Sequence, residues 1–153
     1  MLKKVQKPKI GAEGRHFAIV ASRYNGEYVD AMVHAAKVEL DNAKAKLRVV
    51  RVTGAFEIPA VTARLAASGR YSAIICFGVI FQGETSHARH IGWGVTHALA
   101  QIQVQHKVPV IHAVFVFDKV KHAKVRCLGA KHNRGTEAAH TALEMARVMA
   151  GVR

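Results

Sequence analysis

Acidic residues, cysteine and long apolar runs are scarce in this 153-residue chain. Asp and Glu number 10 against 23 Lys and Arg, which gives a formal net charge of +13. The two cysteines, Cys76 and Cys127, are too few for a disulfide framework and lack the spacing of a CxxC motif. No apolar run approaches the roughly 18 residues that span a bilayer, and none follows the basic N-terminus as in a secretory signal. We therefore predict a reduced, soluble, cytoplasmic protein.

The chain has enough apolar residues to fold as one unit. Hydrophobic residues make up 50% and charged residues 22%, which is typical of globular rather than disordered proteins. A chain of this length buries a core without disulfide or metal support. No repeat and no internal linker interrupts it, so we predict an N-terminal arm, residues 1–13, and a single domain, residues 14–153.

Short apolar runs alternate with segments of helical periodicity. The apolar runs predict strands at 16–22, 47–52, 71–81 and 108–117. The helical spacing predicts helices at 27–42, 57–67, from after Ser86 to about Gln105, at 119–127 and at about 135–150. Alternating helices and uniformly apolar strands indicate a parallel sheet that is covered on both faces. The predicted fold class is α/β, a three-layer α/β/α sandwich with a four-stranded parallel sheet.

The loops after the predicted strands carry chemistry that a scaffold does not need. In open parallel sheets, ligands bind beyond the carboxyl ends of the strands. Tyr24 and Phe56 offer flat apolar faces for a planar ring, and Glu57 offers a carboxylate to hydroxyls or ring nitrogens. Gly83-Glu84-Thr85 leads into a helix whose N–H groups and dipole favour an anion. The alternative is an ordinary strand-to-helix turn with Thr85 or Ser86 as the helix N-cap.

Other reactive residues are weaker candidates. His87 lies in the first helical turn, where the dipole disfavours an imidazolium ring. His87 and His90 share a helix face, but no nearby Cys or Asp completes a metal site, so we predict no metal. Cys127 is expected to have a lowered pKa because of the surrounding basic charge. We expect Cys76 and Trp93 to be buried packing residues.

Basic charge is concentrated between Lys119 and Arg134, where six Lys or Arg occur without an acid. Such a field attracts phosphates or nucleic acid. A nucleic-acid surface would interleave aromatic side chains with the basic ones, and this segment has none besides two histidines. Nucleic acid is therefore the disfavoured partner.

Five motifs, in order and in register, resemble one enzyme family. They are SRYN (22–25), GAFEIP (54–59), GVIFQGETSH (78–87), VPVI (108–111) and NRGTEAA (133–139). Together they resemble 6,7-dimethyl-8-ribityllumazine synthase over residues 14–152. The resemblance implies a flavodoxin-like fold and no metal or organic cofactor. The implied reaction joins 5-amino-6-ribitylamino-uracil to 3,4-dihydroxy-2-butanone 4-phosphate, with release of phosphate and water.

The resemblance also implies a role for each matching residue. Tyr24 stacks on the pyrimidine, at a position usually filled by Phe or Trp. The ribityl chain is contacted by Ala55, Phe56 and Glu57. The uracil edge is contacted by the backbone of Val79, Ile80 and Phe81. The phosphate is held by the amides of Glu84 and Thr85 and by the cation of Arg126, while His87 transfers protons. Gln82, Arg134 and Glu137 are accessory candidates near the site.

Three features depart from the family pattern. Gln82 replaces an Arg, and His112 replaces the Phe that covers the substrate from the neighbouring subunit. The loop RCLGAKHNRG matches its usual form only loosely. These departures leave open a catalytically weak paralogue that binds flavin or ribityl-pyrimidine ligands.

The resemblance implies partners as well as substrates. It implies a homo-oligomer, either a pentamer or a multiple of pentamers, with active sites between subunits. The N-terminal arm would then lie against a neighbouring subunit. Riboflavin synthase is a further implied partner.

Overall fold

A computed structural model describes residues 10–152 of the chain. Its strands are β1 (His16–Ser22), β2 (Lys46–Val52), β3 (Ala73–Phe81) and β4 (Val110–Phe117). Its α-helices are α1 (Gly26–Asn42), α2 (Ile58–Ala67), α3 (His87–His106), α4 (Val120–Ala123) and α5 (Arg134–Gly151). A 3-10 turn, Ala55–Glu57, precedes α2, and a π-helical turn, Lys124–Leu128, follows α4. No helix within residues 10–152 is both long enough and apolar enough to cross a membrane.

The four strands form one parallel sheet in the order β2-β1-β3-β4. Helices α1 and α5 pack on one face, and α2 and α3 pack on the other. The predicted three-layer α/β/α sandwich is therefore confirmed. The predicted arm and the last residue of the predicted domain lie partly outside the described residues, which begin at residue 10 and end at residue 152.

Strand alternation divides the core into two layers. Odd-numbered residues of β1 and β3, such as Phe17, Ile19 and Phe77, pack under α1 and α5. Even-numbered residues, such as Val20 and Ile74, pack under α2 and α3. Because β3 is buried on both faces, its sequence is almost continuously apolar.

Two predicted helices have different local geometry from a regular α-helix. The predicted 57–67 helix begins as the 3-10 turn, and α2 starts at Ile58 with Pro59 in its first turn, where a missing N–H costs nothing. The basic segment predicted as one helix at 119–127 is the four-residue α4 followed by the wider π-helical turn. The wider turn lies against α1 and α5 with Cys127 fully buried.

The outer edge of β4 is partly capped by side chains. The Ile74 amide donates to the Pro109 carbonyl, and the Gln82 amide donates to the Phe117 carbonyl. The odd-numbered residues of 109–117 therefore direct their backbone N–H and C=O groups toward β3. Even-numbered residues direct theirs outward. Two outward amides have side-chain acceptors: Val110 N donates to Gln103 Oε1 (2.9 Å), and Val114 N donates to His112 Nδ1 (3.1 Å).

Candidate functional site

The loops that follow β1 and β2 are joined by backbone hydrogen bonds. Arg23 N donates to the Val52 carbonyl (2.8 Å), and Tyr24 N donates to the Thr53 carbonyl (3.1 Å). These bonds extend the parallel pairing of β1 and β2 past the end of the sheet. They hold Tyr24 directly beside Gly54.

Gly54 allows an aromatic ring and a carboxylate to meet. A Cβ at this position would lie 3.0 Å from Tyr24 Cδ2 and 3.5 Å from Glu57 Oε1, so both side chains lie over the glycine. The Phe56 ring packs in the other direction, 3.6 Å from where a Cβ of Gly94 on α3 would be. Tyr24 and Phe56 are 64% and 66% exposed, which leaves both rings free to contact a ligand. Ala55 is buried beneath them.

The backbone of β3 is open beside this cluster. Pairing of β1 with β3 ends at Ala21 and Phe77, and the side chain of Asn25 then donates to the Val79 carbonyl (2.7 Å). Since successive residues of a strand direct their backbone groups to opposite sides, Phe81 shares the side of Val79, whereas Ile80 faces β4. Within residues 10–152, no strand pairs with this side of β3 beyond Phe77, so the Phe81 backbone lies at an unpaired part of the strand edge.

The loop between β3 and α3 is braced by its own side chains. Gln82 Nε2 donates to the Thr85 carbonyl (2.9 Å), and the Thr85 hydroxyl accepts from the His87 amide (3.3 Å). Ser86 is the N-cap residue, but its hydroxyl contacts His90 Nε2 (3.1 Å) and caps no amide. Glu84, Thr85 and His87 are all exposed at the positive end of a 20-residue helix. This end of α3 is thus accessible to an anion.

His112 does not join this cluster. Its Nε2 lies 2.7 Å from Thr96 Oγ1, and Thr96 is two residues from Gly94, which Phe56 contacts. Two residues correspond to about 200° around a helix, so His112 and Phe56 lie on opposite flanks of α3. On the His112 flank, a groove of about 300 Å³ runs between α3 and β4 and is lined in part by Gln82, Arg89, Trp93, Thr96, Val116 and Asp118.

The candidate cations lie on the other face of the sheet. Arg126 belongs to the π-helical turn, and Arg134 forms an ion pair with Glu137 in the first turn of α5. Asn133 joins these two segments: its Oδ1 accepts from the amides of Gly135 and Thr136, and its Nδ2 donates to the Cys127 carbonyl (2.8 Å). Arg126, Arg134 and Glu137 are therefore held as one unit in the α1 and α5 layer.

Two predictions about single residues are wrong. Burial raises the pKa of Cys127 to about 11, and the opposing charges of Arg126 and Arg134 do not offset it. Trp93 is 61% exposed rather than packed, with its ring edge-on to His90 at 6.1 Å. Cys76 is fully buried as predicted, and burial raises its pKa to about 12.

Sequence patterns did not single out Asn25, Thr96 or Asn133 as site residues. Asn25 belongs to the SRYN motif but has no role assigned there. The Asn-Gly pair at 25–26 is the sequence signal for its left-handed backbone (φ 56°). The bonds from Thr96 to His112 and from Asn133 to Cys127 join residues 16 and 6 apart. No spacing rule predicts such contacts. Among residues 10–152, no three His, Cys, Asp or Glu side chains group as metal ligands would.

Comparison with known proteins identifies the chain's relatives. The family model described as 6,7-dimethyl-8-ribityllumazine synthase matches residues 14–150. A protein of that name from Stenotrophomonas maltophilia (strain K279a) is 37% identical over 140 residues, covering 90% of each chain. Another, from Xanthomonas oryzae pv. oryzae (strain PXO99A), is 37% identical over 136 residues, covering 87% of this chain and 88% of its own.

Proposed function

This chain belongs to the 6,7-dimethyl-8-ribityllumazine synthase family, transferases of riboflavin biosynthesis, and from that premise we propose its substrates and the role of each residue. The proposed reaction condenses 5-amino-6-ribitylamino-uracil with 3,4-dihydroxy-2-butanone 4-phosphate and releases phosphate and water. One observation carries the proposal. The exposed Tyr24 ring and the Glu57 carboxylate meet over Gly54, at the same edge of the sheet as the helix N-terminus of α3.

The pyrimidine substrate fits the cluster at Gly54. Tyr24 supplies a stacking surface for the uracil ring, and Glu57, whose carboxylate lies on the same glycine, accepts hydrogen bonds from ribityl hydroxyls. Ala55 and Phe56 line the ribityl chain. The backbone of Val79, Ile80 and Phe81 reads the uracil edge, chiefly through Phe81, because the Val79 carbonyl is taken by Asn25 and Ile80 faces β4.

The phosphate of the second substrate fits the loop before α3. The amides of Glu84 and Thr85 bind it, supported by the positive end of the helix dipole. Gln82 supports that loop through the Thr85 carbonyl. His87 begins α3 beside the loop, within reach of the reacting carbon atoms, and transfers protons during Schiff-base formation and phosphate elimination.

The remaining site residues come from a neighbouring subunit. His112 lies on the far flank of α3, at Thr96, roughly 14 Å along the helix from His87. Arg126, with Arg134 and Glu137, lies on the opposite face of the sheet. One small substrate cannot touch all of these groups in one protomer, which supports a homo-oligomer with sites between subunits. A pentamer or a multiple of pentamers is the assembly we propose.

The wider setting follows from the same family membership. We propose residues 14–153 as the catalytic domain and residues 1–13 as an arm against a neighbouring subunit. The cytoplasm is the proposed location, and riboflavin synthase, which would consume the product, is a proposed partner.

A condensation assay with both substrates tests the proposal. Product should form well above the spontaneous rate. His87→Ala should lose on the order of tenfold or more of kcat, whereas His34→Ala, an exposed histidine on α1, should not. Arg126→Ala should lose nearly all activity at low phosphate-substrate concentration, and Lys121→Ala, which removes one charge from the same basic segment, should lose little.

Each contrary result has a distinct meaning. Wild-type protein that binds the pyrimidine without forming product would favour the paralogue that only binds. Arg126→Ala with wild-type KM for the phosphate substrate would refute the assigned phosphate cation. If the wild-type protein neither binds the pyrimidine nor forms product, the proposed reaction is wrong.

A further inference from the structure

Both ring nitrogens of His112 have hydrogen-bond partners within the protomer. Nδ1 lies 3.1 Å from the Val114 amide, which donates to it. Nε2 lies 2.7 Å from Thr96 Oγ1. The Thr96 hydroxyl in turn donates to the Gly92 carbonyl, one helical turn earlier (2.8 Å). The ring is therefore anchored to its own strand on one side and to α3 on the other.

Only one distribution of protons satisfies these three hydrogen bonds. An amide N–H can only donate, so Nδ1 carries no proton. The Thr96 proton is directed to the Gly92 carbonyl, so the Thr96 oxygen must accept from Nε2–H. The ring is accordingly neutral, with its proton on Nε2. An imidazolium ring would place a second donor, Nδ1–H, against the Val114 amide.

Groups around the ring are compatible with this neutral form. The charged residues that line the groove beside Thr96 are distant from the ring: Arg89 lies two helical turns, about 10 Å, before Thr96, and Asp118 lies about 20 Å along β4 from His112. On β3, Cys76 is the residue paired with His112, and its thiol is protonated because burial raises its pKa to about 12. Partial burial lowers the pKa of His112 itself.

We infer that Thr96 is a positioning residue, which holds His112 as a neutral Nε2–H ring and makes that ring an uncharged stacking wall for substrate. This inference rests on the proposed function, in which His112 covers the pyrimidine bound by an adjacent subunit. With both nitrogens engaged, the ring faces are the parts left for a ligand. His112 thus stacks as an aromatic plate and transfers no proton.

The arrangement makes substrate binding sensitive to acid. Since folding lowers the pKa of His112, the neutral ring is fully present above about pH 6.5, the ordinary histidine value. It is lost as the pH falls through the lower folded value. A proton on Nδ1 would face the N–H of Val114, so the two donors repel and the ring leaves its stacking position. KM for the pyrimidine should therefore rise as the pH is lowered.

Variants at two positions separate this role from a merely structural one. Thr96→Val keeps the shape but removes the hydroxyl, and it should raise KM for the pyrimidine about three- to tenfold with kcat within about twofold. Thr96→Ser should restore KM. His112→Phe should flatten the acid limb of the kcat/KM profile. In the His112→Phe background, Thr96→Val should have no further effect, because Thr96 acts through the histidine.

A matched control and an activity-independent measurement complete the test. Ser68→Ala removes a hydroxyl that likewise donates to a carbonyl of its own helix, that of Leu65 (2.6 Å), away from His112 and from the proposed site residues, and should leave KM unchanged. Deuterium exchange at the C2 carbon of histidine, read by mass spectrometry, should give His112 a protonation midpoint below 6.5 that rises in Thr96→Val as the ring reaches water.

Two results would overturn the inference without touching the proposed reaction. One is an active enzyme in which Thr96→Val and His112→Phe affect KM additively. The other is a His112 midpoint at the ordinary value in the wild-type protein. Absence of product from wild-type protein would instead count against the reaction, while the exchange measurement would still decide the protonation state of His112.

Discussion

Cys76 and Cys127 are buried thiols whose surroundings act in different ways. Cys76 contacts the Thr62 hydroxyl at 3.3 Å inside β3, and burial dominates its pKa of about 12. Cys127 has two arginines in its vicinity, which favour the thiolate, yet burial still raises its pKa to about 11. Desolvation therefore outweighs local charge at both residues.

We expect both thiols to be unreactive in the folded protein. At pH 8 a thiol of pKa 11 is roughly 0.1% thiolate, and the thiolate is the nucleophile. A disulfide reagent such as DTNB should modify fewer than one thiol per chain in native protein and both in guanidinium chloride. In native Cys127→Ser protein Cys76 is the remaining thiol, so fast modification of that variant would show that Cys76 is accessible. Fast modification of the wild-type protein but not of Cys127→Ser would show that Cys127 is accessible.

The chemical type of a residue could be read from the sequence, but its neighbours could not. Tyr24, Phe56 and Glu57 were predicted as ligand-binding residues because aromatic and acidic side chains after buried strands have no packing role. The sequence around Gln82 does not indicate that its side-chain amide donates a hydrogen bond to the Thr85 carbonyl. The raised pKa of Cys127 depends on its burial against α1, which lies far away in the chain.

Helix α5 begins at a point of very close contact with α1. A Cβ on Gly135 would lie 2.1 Å from the Met32 carbonyl oxygen, so only glycine allows the two helices to approach this closely. The first turn of α5 also carries the Asn133 cap and the Arg134–Glu137 pair. Displacement of this turn would therefore move the proposed phosphate-binding cation as well.

Gly135→Ala should destabilise the protein by about 3 kcal/mol, the upper end of the cost of overpacking, because backbone must move to admit the methyl group. Gly151→Ala is the matched control: it lies at the end of the same helix with nothing within 4 Å. That change should be neutral or slightly stabilising, since alanine favours helix. Guanidinium unfolding of the two variants measures the difference. Equal stabilities would show that the contact with Met32 relaxes without cost.

Helices and strands were largely predictable, and their local irregularities were not. Apolar runs located all four strands, most directly β1 and β3, which are almost fully buried. The π-helical turn at Lys124–Leu128 was predicted as ordinary helix, because its five-residue hydrogen-bonded turn has no distinct periodicity over so short a segment. Parallel strand order also depends on contacts between distant segments.

The molecule as a whole combines exposed apolar side chains on α3 and β4 with a large positive net charge. On α3, Trp93 and Val104 are 61% and 76% exposed, and Val116 on β4 is 38% exposed. Exposed apolar side chains grouped in this way are typical of an interface. At +13 per chain, association must bury enough apolar area to overcome repulsion between like charges.

Sedimentation should therefore detect five protomers or a multiple of five at micromolar concentration, and more salt should favour assembly by screening the repulsion. Trp93→Glu should shift the protein toward smaller species, because it places a charge in the proposed interface. Val38→Glu, at an exposed apolar position of α1, is the matched control and should assemble as wild type. A wild-type protein that sediments as a monomer would rule out a site shared between subunits.

The capped edge of β4 limits pairing between the sheet edges of separate chains. An open edge strand is a template on which other chains can add strands and grow fibrils. Gln103 and His112 occupy two of the outward amides of β4, so an incoming strand finds those donors already used. Loss of both caps, as in Gln103→Leu with His112→Leu, would leave the native contacts of the sheet in place while opening a route to amyloid-like aggregation.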